Sequence, residues 1–211
     1  MASSTTGRAA AANSYERFAG TSAILAGVGG VLYSIAFVFL KQDALRAGLT
    51  GAFLVLGGLL TVSVLLGLYQ RVRDTNPSFA LLGLTLGVAG ALGTTAHGAY
   101  DLANALHPPT IDLDTANVPS SIDPRGLMTF GVTGLALLVF SLLIRRGGSL
   151  PVGLGNLGLV LAVLLIVIYL VRLIYFTPTT PVLIAAGLTG IIVNPTWLIW
   201  LGVTLRRGGA S

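Results

Sequence analysis

The stretch VGLGNLGLVLAVLLIVIYLV, residues 152–171, contains no charged side chain and is rich in leucine and valine. A helix needs about 20 apolar residues to cross the roughly 30 Å hydrocarbon core of a bilayer. Five further stretches meet that length. The predicted spans are residues 18–40, 47–70, 79–104, 124–144, 152–176 and 181–205. The sequence therefore predicts an all-α integral membrane protein, a bundle of six transmembrane helices.

The composition agrees with this fold class. Of the 211 residues, 54% are hydrophobic and 9% are charged, and the mean hydropathy is +0.88. A soluble domain carries about 25% charged residues, so this chain has too few charges to cover a water-facing surface. The composition excludes disorder, nucleic-acid binding and an ordinary cytosolic enzyme. The absence of cysteine excludes disulfides, thiolate metal sites and cysteine nucleophiles.

The six spans are expected to form one domain over residues 18–207. Residues 1–17, rich in alanine, serine and threonine, are expected to form a mobile cytoplasmic tail, and residues 208–211 a short one. The long connection at 105–123 is expected to be an outer loop that covers part of the bundle. The first span has about 23 apolar residues, more than the roughly 7–15 of a signal peptide, so we expect it to be retained.

Basic residues are distributed unequally between the two sides of the membrane. With the N-terminus in the cytoplasm, eight of them lie on the inner side and four on the outer side. Because translocation of arginine and lysine is disfavoured, we expect both termini to be cytoplasmic. Eleven arginines against one lysine, with abundant alanine and glycine, suit a GC-rich genome. We therefore expect a multi-pass protein of a prokaryotic cell (inner) membrane.

Two spans carry stripes of small residues at helical spacing. Helices in lipid associate through close packing of small side chains, since apolar side chains gain little by leaving lipid. Both stripes are therefore predicted to pack against neighbouring helices. The first span contributes Ala23, Gly27, Gly30 and Ser34, and the third contributes Gly83, Gly87, Gly90 and Thr94.

A polar cluster continues the stripe of the third span. After Thr94 the same spacing reaches His97, Asp101 and Asn104, with Tyr100 on the flank. Arg172, near the end of the fifth span, is predicted at a similar depth and is the expected ion-pair partner of Asp101, because a lone charge there is unfavourable. Two interpretations are open: an anchoring or packing role at the interface, and a ligand-binding vestibule open to the outside.

The sixth span contains Asn194-Pro195-Thr196 near its middle. Proline removes one helical hydrogen bond and frees a carbonyl. Such a break can contribute polar groups to a solute site, which makes Asn194 a candidate ligand-binding residue. The alternative is a plain kink, since prolines are tolerated in membrane helices.

The outer loop contains Asp112 and Asp114, a pair that suggests calcium. The glycine and the final glutamate of an EF-hand loop are missing, and Asx turns explain the acids adequately. No metal site is predicted. The pentapeptide AGLTG occurs at Ala47–Gly51 and Ala186–Gly190, and a related Gly131–Gly134 lies in the fourth span. Chance in a glycine-rich chain explains these matches, and so do three tandem helical hairpins.

The sequence suggests no catalytic residue and identifies no cofactor, and its motifs resemble those of no known family. We expect a membrane protein that is not an enzyme, and two functions remain. The first is a structural or accessory subunit, assembled as a homo-oligomer or in a larger membrane complex. The second is a small-solute or lipid transporter with an outward-facing vestibule, gated near Asn194-Pro195 and formed by His97, Asp101, Asn104 and Arg172. Beyond these, the expected partner is the lipid bilayer, with no nucleic acid.

Overall fold

The computed structural model describes residues 3–108, 126–174 and 180–208. These residues form helices and no strand. Six of the helices are long and apolar enough to cross a bilayer, which confirms the predicted fold class. In chain order they are α1 (Ser3–Phe39), α2 (Asp43–Val72), α3 (Pro77–Leu106), α4 (a π-helical segment Leu127–Val132 followed by Thr133–Gly147), α5 (Val152–Ile174) and α6 (Thr180–Leu188, a π-helical segment Thr189–Val193, then Asn194–Gly208).

The helices form a ring in which each packs against its neighbours in sequence, and α6 closes the ring against α1. Arg71 near the end of α2 reaches both Glu16 of α1 and Gly208 of α6. The start of the membrane-spanning part of α1 and the ends of α2 and α6 therefore lie at one end of the bundle. That this end faces the cytoplasm remains a prediction from the arginine distribution.

Two of the differences between the helix boundaries and the predicted spans have a local cause. Helix α1 begins at Ser3, within the stretch expected to be a tail. The run Ala9–Ala12 explains the extension, because alanine has the highest helix propensity. Helix α3 begins at Pro77 after Asn76, whose side chain accepts a hydrogen bond from the Phe79 amide at 3.1 Å. The predicted loop at 105–123 lies mostly outside the described residues.

The apolar core fills one half of the bundle, the half that ends at Arg71, Arg145 and Arg206, here called the arginine half. Its side chains come from stripes of α1, α2, α4, α5 and α6 that face one another. The largest fully buried apolar side chains are Phe140, Leu68, Ile144, Leu154, Leu161, Leu201, Leu205, Val64 and Val72. The other half, which contains His97, is here called the histidine half.

Helix pairs approach most closely at reciprocal glycine contacts. A Cβ atom at Gly20 would lie 2.6 Å from the carbonyl oxygen of Gly202, and one at Gly202 would lie 2.5 Å from that of Gly20. Gly51 and Gly98 make the equivalent contact between α2 and α3, at 2.7 and 2.5 Å. At such distances any side chain would push the two backbones apart, so these positions require glycine.

The small-residue stripe of α1 lies against α6. A Cβ atom at Gly27 would be 3.2 Å from the Pro195 carbonyl oxygen, and one at Gly190 would be 2.9 Å from Ser34 Oγ. Ala23 lies against Gly202 in the same interface. The predicted stripe thus has α6, the last helix of the chain, as its neighbour.

The stripe of α3 divides between two neighbours. Gly83 faces Phe140 of α4, Gly90 faces Thr133 of α4, and Gly87 faces Leu65 of α2. Helix α3 is therefore placed between α2 and α4, with its small residues allowing close approach on both sides.

Candidate functional site

The inward side of α3 is identified by its contacts. Gly98 contacts α2 and Gly90 contacts α4. Gly87, Thr94 and Asp101 are seven residues apart, so they lie on one stripe between those two contacts. That stripe faces the interior of the ring. Thr94 and Asp101 are therefore inward-facing polar residues of the histidine half, and both are half-buried.

Helix α2 continues its buried stripe into the histidine half. Val64 and Leu68 are 1% and 0% exposed, and Thr61 and Gly57 precede them at the 4-3-4 spacing of one helix face. A Cβ atom at Gly57 would meet no atom of the described residues within 4 Å. The interior is therefore open beside Gly57, whereas the same stripe is tightly packed at Leu68.

Helix α6 presents Asn194 to the same interior. Asn194 precedes Leu198, Leu201 and Leu205 at 4-3-4 spacing, and those three leucines are 6%, 0% and 0% exposed. Asn194 is half-buried, and Thr196, two residues on, is exposed. The Asn194 amide thus lies on the inward face, one turn beyond the apolar core.

Two contacts show which residues of α2 and α3 lie at the same depth in the bundle. Gly58 lies against Thr95 and against the Ala91 carbonyl oxygen. Because Gly57 and Thr94 are the immediate neighbours of contacting residues, they lie at the same depth in the bundle. Gly57, with open space beside it, thus lies at the depth of the Thr94 hydroxyl on α3.

Asn194 lies at that depth as well. Its side-chain nitrogen is 3.8 Å from the position of a Cβ at Gly30 of α1. Nearer the arginine end, Ala19 of α1 meets Gly67 of α2. Ten residues along either helix advance about 15 Å, so Gly57 on α2 reaches the level of Gly30 and Asn194. Three helices therefore bring polar or open positions to the middle of the bundle.

His97 and Asp101 form the charged part of the site. His97 Nε2 lies 3.4 Å from Asp101 Oδ2, with the side chains 26% and 32% exposed. His97 is turned towards α4 relative to Asp101, and Asn104 lies on the side of His97 and is half-buried. Tyr100 is 42% exposed on the outer side of α3. The structure thus brings together His97 and Asp101 and leaves Tyr100 away from the interior.

Arg172, the predicted partner of Asp101, has a side chain outside the described part of the structure. Its backbone lies in α5, four residues after Ile168. Ile168 belongs with Leu161 and Leu165 to a stripe that is 0% to 8% exposed. The ion pair between Asp101 and Arg172 stays a prediction.

A π-helical segment accompanies the proline of α6. The backbone N–H of Asn194 donates to the Thr189 carbonyl, five residues earlier, and Pro195 follows with no N–H to donate. The added residue in Thr189–Val193 accommodates the proline. A second π segment, Leu127–Val132, lies in α4. Both segments flank α5 in the ring, and such segments mark points where a helix can change register.

The repeated glycine motif has a regular place in the ring. Gly51 of α2 contacts α3, Gly134 of α4 contacts α5, and Gly190 of α6 contacts α1. Each even-numbered helix therefore uses the final glycine of its motif against the next odd-numbered helix. This cyclic pattern is the one expected of three tandem hairpins.

Several residues that hold the helices together could not be predicted from the sequence. Gly20 and Gly202 form the tightest approach of α1 and α6, yet nothing in a glycine-rich sequence distinguishes them. The tie between Arg71 and Glu16, with 2.8 Å between Nη2 and Oε2, joins α2 to α1. Glu16 is the only glutamate of the chain, which is the signal that could have suggested it.

The site offers hydrogen bonding and charge in a bundle closed at one end. No protein-family model matches the chain, and no curated protein or solved structure is similar to it. Within residues 3–108, 126–174 and 180–208, no three histidine or acidic side chains come together as metal ligands. The chain is a multispanning membrane protein, and its function must be argued from this interior.

Proposed function

We propose that this protein is a non-enzymatic membrane carrier that binds a small polar or amphipathic molecule in the histidine half of its bundle. The observation that carries the proposal is the change in character along the inward stripes. The stripe of α6 passes from Leu205, Leu201 and Leu198 to Asn194, and that of α2 passes from Leu68 to an open position at Gly57.

Energetics support this interpretation. A polar group inside a membrane protein is unfavourable unless it has a partner, and such groups usually mark a ligand pathway. Thr94, Asp101, His97 and Asn194 come from two helices that are not neighbours in the ring. Thr94, Asp101 and Asn194 lie on the inward sides of these helices, where a bound molecule would reach them, and Thr94 Oγ1 also donates to the Gly90 carbonyl oxygen at 3.0 Å.

The tight arginine half supports a carrier over an open channel. Phe140, Leu154 and Leu201 are completely buried on three different helices at that end. Passage through the bundle would require this half to rearrange. Carriers of this kind alternate between states, with the ligand bound near the middle of the membrane.

The test begins with native mass spectrometry of the protein taken from its own membranes in mild detergent. The expected result is a small molecule retained in stoichiometric amount. Asn194→Leu and Asp101→Asn are each expected to reduce its retention about 2–10-fold, since a lost hydrogen bond is worth about 0.5–1.5 kcal/mol.

The matched control is Thr196→Val, which removes a polar group two residues from Asn194 on the exposed side of α6. It is expected to retain the molecule fully. Unchanged retention in both inward variants, with normal folded yield, would contradict the proposed site.

A second function, an accessory subunit of a membrane assembly, is favoured by the outer face of α3. Ala96, Ala99 and Ala103 are exposed and lie on one stripe. Small residues on a lipid-facing stripe allow another helix to approach closely. A homo-oligomer or a foreign subunit seated there would use this stripe.

The same mass spectra distinguish this second function. Stoichiometric foreign subunits, or a homo-oligomer lost on Ala99→Leu, would favour it. A monomer that retains a small molecule, unaffected by Ala99→Leu, would favour the carrier.

A further inference from the structure

The two parts of α6 pack very differently against the ring. Asn194–Gly208 lies along α1 and also meets α5, where Trp197 Nε1 donates to the Leu154 carbonyl at 3.2 Å. Thr180–Leu188 makes sparse contacts, mainly with α5. Ile184 and Leu188 are 58% and 50% exposed. Among the described residues, Thr180–Leu188 therefore has fewer packing partners than Asn194–Gly208.

Gly187 strengthens this contrast. A Cβ atom there would meet no atom of the described residues within 4 Å. Three residues later, a Cβ at Gly190 would lie 2.9 Å from Ser34 Oγ. The close packing of α6 on α1 thus begins inside the π-helical segment.

That segment is a natural hinge. Thr189–Val193 has i to i+5 hydrogen bonding, and Pro195 just after it cannot donate a backbone hydrogen bond. Fewer backbone bonds resist bending there than in a regular α-helix, and hinges concentrate at such positions. Thr180–Leu188 can therefore move relative to Asn194–Gly208 at low cost.

In the described residues the contacts of Thr180–Leu188 with other helices are mainly with α5, so movement of this segment would open the ring between α1 and α6. The opening would connect the surrounding lipid with the interior at Asn194, which is the first inward polar residue below the hinge. The opposite wall stays in place, because α2 and α3 are held by the reciprocal contact of Gly51 and Gly98.

We infer that the ligand enters sideways from the bilayer, between α1 and Thr180–Leu188, and is therefore amphipathic. Its polar head bonds to Asn194 and Thr94 and extends along α3 to Asp101, and its hydrocarbon chain lies between α1 and α6. This inference rests on the proposed carrier function and specifies the class of molecule. A lipid-like ligand also agrees with the small number of polar groups that line the membrane interior, since it needs only one polar pocket.

The chain has no cysteine, so accessibility can be measured directly on single-cysteine variants in lipid vesicles. Gly57→Cys places a thiol in the open interior. The two probes are dodecyl methanethiosulfonate, which partitions into lipid, and 2-(trimethylammonium)ethyl methanethiosulfonate, which stays in water. Leu59→Cys, at a side chain of α2 that is 51% exposed, is the reference for the lipid probe. His107→Cys, at an exposed position just after α3 in the histidine half, is the reference for the water probe.

The expected result is that dodecyl methanethiosulfonate modifies Gly57→Cys at least about tenfold faster than the charged reagent, each rate taken relative to its reference. Modification by the charged reagent alone would overturn lateral entry and leave the carrier proposal standing. No modification by either reagent would contradict both, because the interior would then be closed.

A disulfide tests the hinge itself. Ser34→Cys with Gly190→Cys brings two Cβ atoms within bridging range and fixes the π segment to α1. The matched control is Gly48→Cys with Ala105→Cys, whose Cβ atoms would be 3.7 Å apart between α2 and α3. We expect the first disulfide to slow modification of Gly57→Cys by the dodecyl reagent about tenfold and the second to leave it unchanged. Equal rates in both would overturn the hinge.

Discussion

The two halves of the bundle are formed by the same helices but differ in how tightly their side chains pack. In the arginine half, Phe140, Leu68 and Leu201 are completely buried and glycines bring backbones into contact. In the histidine half, Gly57 and Gly187 have open space beside them. The difference indicates that one half supplies stability and the other supplies a place for a ligand.

The side-chain contacts Arg71–Glu16 and His97–Asp101 differ in the same way as the packing of the two halves. Arg71 and Glu16 join separate helices, and their side chains are 23% and 14% exposed. His97 and Asp101 lie on one helix and are 26% and 32% exposed. An ion pair between helices holds the fold together, whereas a histidine–carboxylate contact within a single helix adds little to it. This comparison can be tested by substitution.

The largest effect is expected for Phe140→Ala. Removal of a fully buried ring leaves a cavity among α3, α4 and the core, at a cost of about 3–5 kcal/mol in the free energy of unfolding. Denaturant titration in detergent measures it. Phe39→Ala, at a ring that is 70% exposed, should change the same quantity by less than about 0.5 kcal/mol. Equal losses in the free energy of unfolding would show that the buried and the lipid-facing phenylalanine contribute alike.

Arg71→Gln is expected to cost about 1.5–3 kcal/mol, because Glu16 loses a charged hydrogen-bond partner in a half-buried place. The shift in thermal unfolding temperature in mild detergent reports it. Arg73→Gln is the control, since Arg73 is 55% exposed and its partner Asp74 is 93% exposed. That variant should stay within about 0.5 kcal/mol. If Arg73→Gln lowered the unfolding temperature as much as Arg71→Gln, the loss of a positive charge would explain the effect, and not the loss of the ion pair between α1 and α2.

Gly202→Ala is expected to destabilise by about 1–3 kcal/mol, because the new methyl group would force apart α1 and α6. Gly57→Ala, in open space, should stabilise by about 0.5–1 kcal/mol through its helix propensity. The pair is compared by unfolding at matched detergent concentration. A loss at Gly57 similar to that at Gly202 would mean that the histidine half is also tightly packed.

The smallest effect on stability is expected for Asp101→Asn, about 0–1 kcal/mol, because the partner His97 lies on the same helix and both side chains are partly exposed. Its unfolding temperature should stay near that of the parent protein while ligand retention falls. A stability loss equal to that of Arg71→Gln would make Asp101 a structural residue.

The spans could be predicted because apolar length is a property of the sequence alone. Composition predicts a tail over residues 1–17, whereas helix α1 begins at Ser3, because the alanines at Ala9–Ala12 favour a helix. Pro195 is preceded by a π-helical segment, Thr189–Val193, which the sequence does not predict. Proline predicts a disturbed hydrogen bond, but how a helix absorbs the disturbance depends on its neighbours.

The candidate site was predictable in part. Spacing placed His97 and Asp101 on adjoining parts of one helix face, and they lie 3.4 Å apart. Spacing also put Tyr100 beside them, yet it points away from the interior. Gly57 was not predicted at all, because a missing side chain matters only when the surrounding space is known.

By itself, the sequence determined that this protein has six apolar helices, which stripes on them are small or polar, and where basic residues end the spans. These features depend on residues within a few turns of one another. The tertiary structure alone decided that α6 closes the ring against α1, that Gly202 meets Gly20, and that Asn194 reaches the level of Thr94. Such pairings depend on the angular order of six helices, and periodicity within one helix carries no information about its neighbours.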